Sequence, residues 1–136
     1  MFKRVLKNER GLTLIELLAV IVILGIVAAI AIPSIGGIIN KSKNDAKIAE
    51  GIQIINAAKM YMTANSFTPD SADSSIQTLD QTDLNDYLDS VDDSQYKVEV
   101  HQGNSGKYTY YLKEHDSVGL VDTNDDDLAS EEELSK

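Results

Sequence analysis

Oxygen-bearing side chains recur at alternate positions near the end of the chain. In DTNDDDLASEEE, residues 122–133, Asp122, Asn124 and Asp126 stand at positions 1, 3 and 5, Ser130 at 9 and Glu133 at 12, with the carbonyl of Leu128 at 7. Hard oxygen donors at this spacing let a loop wrap about six or seven ligands around a large, geometrically tolerant cation such as Ca²⁺. Two positions depart from the pattern: Asp127 stands where glycine would permit the sharp turn, and Ala129 where a larger apolar residue is usual. The competing reading is an acidic, solvated chain end, the ordinary meaning of such a composition.

A second carboxylate stands out by its surroundings. Residues 12–32, LTLIELLAVIVILGIVAAIAI, hold Glu16 as their only charge. An ionised group at membrane depth costs at least about 2.5 kcal/mol. Other chemistry is sparse. His101 and His115 are the only histidines, and both are expected on the solvated surface. There is no cysteine, no Ser-His-Asp spacing and no glycine-rich phosphate loop, so no catalytic constellation is visible and the chain is not expected to be an enzyme. Four of the six tyrosines, Tyr96, Tyr108, Tyr110 and Tyr111, suit strand packing.

The elements that carry these residues follow from composition and period. A run of 21 residues is long enough to cross a hydrocarbon core about 30 Å thick, and the basic leader (Lys3, Arg4, Lys7, Arg10) sets the N-terminus on the cytoplasmic side. Secretory signal cores run about 7–15 apolar residues, so this longer run reads as retained. Pro33 and the Gly36-Gly37 pair are expected to bend or loosen the helix locally. Beyond them Ile48, Ile52, Ile55 and Met62 recur at helical spacing, with Ile54, Ala58 and Tyr61 widening the stripe. The polar segment 65–75 ends the helix. Residues 82–90 read as a short helix capped by Thr82, burying Leu84 and Leu88. Residues 96–100 and 107–113 alternate as a hairpin around QGNSG, and 117–121 read as a third strand. The expected fold class is therefore α+β: a long N-terminal helix, membrane-spanning in its first half and amphipathic in its second, packed against a small antiparallel sheet. Its segments are 1–11, 12–35, 36–65 and a head over 66–136.

Charge narrows the partners. The net charge is −10, and from Met60 onward 18 acids face 4 lysines. Removing residues 1–11 takes away four basic groups and one acid, leaving 8 against 21, a net charge of −13. Such a surface repels phosphate, so no direct nucleic acid binding is expected. Without disulfides, a head this small needs another staple, a metal or association.

The segment RGLTLIEL, residues 10–17, resembles the class III signal of type IV pilins and of the pseudopilins of type II secretion and competence systems. The resemblance implies cleavage by a prepilin peptidase between Gly11 and Leu12 and methylation of the new amine of Leu12. Leucine after the cut is a departure, since phenylalanine is commoner there. Glu16 falls at the family's fifth mature position, Gly25 at its fourteenth and Pro33 at its twenty-second. Further implications are a homo-oligomeric filament, an assembly ATPase, a platform protein and minor pilins. The subunit would lie in the cytoplasmic membrane before assembly and in a cell-surface or extracellular filament after it. An acid and an amine each desolvated in lipid offset much of each other's cost, so Glu16 would favour docking against a neighbour's N-terminus in one register. The acidic window at 122–133 resembles an EF-hand-type calcium loop, and the cysteine-free major pseudopilins imply the same ion. Surface pilus and secretion or competence pseudopilus both remain open at this level. So does another class: a membrane-tethered, acidic, calcium-responsive binding module that never polymerises.

Overall fold

The computed structural model describes residues 2–70, 72–123 and 127–136, with side chains from Thr13 onward. The chain divides into two compact units, residues 1–41 and 42–136. The first is helical over residues 2–41. It belongs to α1, Phe2–Ala64, which runs without interruption through Pro33 and the glycine pair. Thr13–Ala64 is the one helix among the described residues long and apolar enough to cross a membrane. The bond between Gly11 and Leu12 lies within helical backbone.

The second unit is built around the last turns of α1. Its 3- and 4-residue spacing brings Ile54, Ile55, Ala58 and Met62 onto one buried face, with Ile48, Ile52 and Tyr61 partly buried at its margins. That face meets a four-stranded antiparallel sheet whose spatial order follows the chain: β1 Ile76–Asp80, β2 Lys97–Gln102, β3 Tyr108–Lys113 and β4 Ala129–Ser130. The register sets Leu79 opposite Val98 and Val98 opposite Leu112, a row of side chains each at most 1% exposed. Leu84, Tyr96 and Leu134 close the core from the connections. Burial of this apolar surface, at ~25 cal/mol per Å², is what holds the sheet to the helix.

The helix, the stripe and the hairpin stand as expected, the hairpin turn closing through Gly103 N–H to Lys107 C=O at 2.9 Å, with Gly106 at φ 77°. Four elements differ. Residues 117–121 are not a strand: Val118–Leu120 forms a 3₁₀ turn. The short helix α2 is Gln81–Leu84, and its cap is Asp80 rather than Thr82. Asp80 Oδ1 accepts from Thr82 N–H at 2.8 Å, and Asp83 Oδ2 accepts from Asp80 N–H at 3.1 Å, a reciprocal box that starts the helix one residue earlier. Leu88 lies outside it and is only partly buried. A further strand, β1, occupies residues 76–80, to which the sequence assigned no element, because the inward position 77 is a glutamine. Gln77 is 4% exposed and its Oε1 accepts from Thr68 N–H at 2.9 Å, which satisfies the buried amide. β4 is two residues long and leads into α3, Glu131–Leu134.

The outer side of β1 is already engaged by its own chain. Asp70 N–H donates to Ile76 C=O at 2.7 Å, and Asp70 Oδ2 accepts from Thr78 N–H at 3.0 Å and Thr78 Oγ at 2.6 Å.

Candidate functional sites

Three groups of residues carry possible chemistry. The first is the apolar half of α1. Its large side chains from Leu14 to Ile39 are about half to two-thirds exposed: Leu14 is 68% exposed, Val20 51% and Ile30 71%. In water, so much unpartnered apolar surface marks a region meant for lipid or for other helices. Glu16 is exposed within it, with Ala19 and Val20 one turn further along. A Cβ at Gly25 would meet nothing within 4 Å, so this glycine leaves a smooth spot on the helix surface. Pro33 is accommodated inside the helix at the cost of one N–H. The side chains at the cleavage position, Gly11 and Leu12, lie outside the described ones.

The second group is the acidic window. Asp122 is exposed and Leu128 half-buried. Asn124 and Asp126 lie outside the described residues. Ser130 and Glu133 are given a different task from the one expected of them. Glu133 Oε2 accepts from Ser130 N–H and Oγ–H, both at 2.9 Å, and Ser130 Oγ accepts from Glu133 N–H at 3.3 Å. This is the capping box that starts α3, and it leaves Glu133 only 8% exposed. A ligand set running through positions 9 and 12 would have to open that box first. Lys59 of α1 forms an ion pair with Glu131 and sits over the Tyr110 ring, 5.9 Å from its centroid, fastening α3 to the helix.

The third group was invisible in the sequence. His115, expected on the surface, is 4% exposed. Glu114 takes a left-handed conformation, φ 60°, directly after β3 and turns the next residue inward. Residues 115–117 then settle on one turn of α1. Lys47 Nζ pairs with Asp116 Oδ2 at 2.8 Å, Glu50 Oε1 lies 4.0 Å from His115 Nε2, and Gly51 lies beneath Ser117. Spacing of three and four residues puts all three on one helix face. A Cβ on Gly51 would come within 2.5 Å of Ser117 Oγ and 2.9 Å of Leu112 Cδ2, so only glycine permits the approach. The neighbouring loop joins in: Glu50 Oε1 accepts from Asp92 N–H at 2.7 Å, and Asp93 Oδ2 accepts from Asp116 N–H at 3.2 Å. The pair with Asp116, through its hydrogen bond and then its charge, raises the Lys47 pKa, and Lys47 correspondingly lowers that of Asp116. Both groups are open to solvent, so this pair is screened and weak.

Ser117, His115 and Glu50 together hold the members of a nucleophile–base–acid relay, with Ser117 Oγ 2.7 Å from His115 Nδ1. Ser117 is 0% exposed and covered by Gly51. No substrate carbonyl can reach its oxygen, so the arrangement is structural.

Comparisons with known proteins bear on the first group. The family described as the prokaryotic N-terminal methylation motif matches over residues 6–32. Among curated proteins, the chain is similar to the type II secretion system core protein G of Klebsiella pneumoniae, 36% identical over 66 residues, 47% of this chain and 46% of that protein. The protein of the same description from Escherichia coli K12 is 32% identical over 66 residues, 48% and 46% of the two chains. That from Vibrio cholerae is 31% identical over 74 residues, 54% and 50%. The chain thus spans about half the length of the curated relatives it matches. No solved structure matches it.

Proposed function

We propose that this chain, whose N-terminal segment is that of the pilin and pseudopilin family, is a prepilin: a structural subunit cleaved after Gly11, methylated at Leu12 and polymerised through α1 into a helical filament. One observation carries the reading. The methylation motif over residues 6–32 overlies a helix with an exposed apolar surface and a single charge, Glu16, between residues 12 and 40. Such a surface is stable in lipid before assembly and against other helices after it. Transfer from the first to the second leaves Glu16 in need of a partner, and the freed, methylated amine of a neighbouring subunit is a cation of the right kind. The names of the relatives favour a type II secretion pseudopilus over a surface pilus. Prepilin peptidase, an assembly ATPase, a membrane platform protein and minor pilins are the partners this reading requires.

The deciding experiment is intact-protein and N-terminal peptide mass spectrometry on material from the native host. A mature chain beginning at N-methylated Leu12 is expected. A chain still beginning at Met1, or cut near Ala31, would overturn the reading.

Calcium is a separate proposal. The donor chemistry of Asp122, Asn124 and Asp126, with the Leu128 carbonyl, suits a hard, oxygen-seeking cation, and such an ion would relieve repulsion in a strongly acidic head. Ser130 and Glu133 fit this set poorly while they cap α3.

A further inference from the structure

We infer that the acidic cleft beside residues 115–117 is a docking seat for a second copy of this chain: it receives Lys43 of a neighbouring subunit's α1, with Asp92 as the counter-ion. The inference rests on the filament reading, because helices assembled side by side are what bring a second α1 to this place.

The cleft is unfinished within one chain. It holds about 260 Å³ and is lined by Lys47, Glu50, Asp92, Asp93, His115 and Asp116, four carboxylates against one ammonium. Three of the four are occupied. Glu50 Oε1 accepts from Asp92 N–H at 2.7 Å and from Asp93 N–H at 3.4 Å. Asp93 accepts from Gln95 N–H and Asp116 N–H, and Asp116 pairs with Lys47. The Asp92 carboxylate is exposed and has no hydrogen bond or ion pair among the described residues. His115 gives a second, independent sign. It is 4% exposed, yet its Nε2 opens on the cleft with no hydrogen-bond partner among the described residues. A buried polar atom left open is uncommon in a finished fold and points to a group supplied from outside.

The shape beside the cleft selects a helix. Glu50 and Asp92 also line an adjoining groove of about 410 Å³, together with Ala46, Ala49, Gln53 and Ser90. Ala46, Ala49, Glu50 and Gln53 share one side of α1 by their three- and four-residue spacing. The two alanines leave that side low enough for another helix to lie close. Copies assembled through α1 place such a helix there.

Charge selects the residue. Without residues 1–11 the chain keeps 8 lysines against 21 acids. Of the three lysines on α1 within the second compact unit, Lys47 is held by Asp116 and Lys59 by Glu131. Lys43 is exposed and has no ion partner among the described residues. A neighbour's Lys43 thus meets the open carboxylate, and Asn44 beside it carries an amide that can either donate to or accept from the His115 ring. An exposed pair of this kind adds little affinity by itself. Its effect is to penalise helix placements that bring acid against acid.

The test uses filaments from the native host, built from a mixture of full-length Lys43→Cys and Asp92→Cys copies carrying tags of different mass. The chain has no cysteine of its own, so a short bismaleimide joins only the engineered thiols. A mixed dimer is expected in intact filaments and not in detergent-dispersed subunits. In a second arm, Lys43→Glu is expected to lower filament yield about tenfold or more, and adding Asp92→Lys to every copy is expected to restore it. Filaments that carry N-methylated Leu12 but join Lys43→Cys to Asp92→Cys no better than to Gln102→Cys, at the far end of β2, overturn the inference and leave the filament reading standing. So does a Lys43→Glu yield that is normal, or one that Asp92→Lys fails to restore. Absence of filaments from the unaltered chain overturns both.

Discussion

Gly51 decides whether the head can close on its helix. Two effects oppose each other when it becomes alanine. Helix propensity gains about 1 kcal/mol. Against that, the new methyl would press to 2.5 Å on Ser117 Oγ and 2.9 Å on Leu112 Cδ2, and neither can yield freely because both residues are 0% exposed. Overpacking of this kind costs about 1–3 kcal/mol. Gly51→Ala is therefore expected to lower the thermal midpoint despite its better propensity, and adding Ser117→Ala is expected to recover part of the loss. A midpoint that rises in the single variant would show that the turn has room to move. This scale also marks the limit of the sequence. Glu16 was legible because a lone charge in an apolar run conflicts with its neighbours in the chain itself. His115 was not, because its burial depends on a left-handed Glu114 and on a helix turn some 65 residues earlier, neither of which leaves a local pattern.

Elements were legible where their period was carried by apolar side chains and lost where polar residues took over. The α1 stripe and the β2–β3 hairpin follow their hydrophobic spacing. β1 escaped because Gln77 fills a core position and is satisfied by Thr68, a pairing that only the folded chain reveals. Residues 117–121 had a strand's composition but turn instead, since Ser117 is drawn down onto Gly51. At the C-terminus the spacing of Ser130 and Glu133, expected to serve a calcium loop, also suits a capping box, and in the fold the two satisfy each other at the start of α3. Calcium binding by the preceding loop is testable at this scale. Titration of the full chain in detergent should give saturable heat below about millimolar Ca²⁺, abolished by Asp122→Ala. No saturable heat in that range removes the ion from the account.

For the molecule as a whole, the segregation of charge and hydrophobicity bears on the assembly proposed above. The apolar surface lies on the first half of α1, and the acids on the head. Chains of net charge −13 without residues 1–11 repel one another, so the proposed filament would have to be driven by the helices and kept in register by something specific. Glu16 is the candidate. Glu16→Ala is expected to leave membrane insertion and cleavage intact while filament yield in the native host falls below detection. Normal filaments from that variant would favour the tethered module instead.

Crowding identical sheets side by side in a filament invites a hazard of its own: strand edges that template onto each other. Here one edge is stitched to Asp70, which occupies Ile76 C=O and Thr78 N–H, and the other is a strand of two residues that ends in a helix. The heads can therefore be held at very high local concentration without growing a continuous ladder between copies. In the proposed filament, order along the fibre would then be left to the helices.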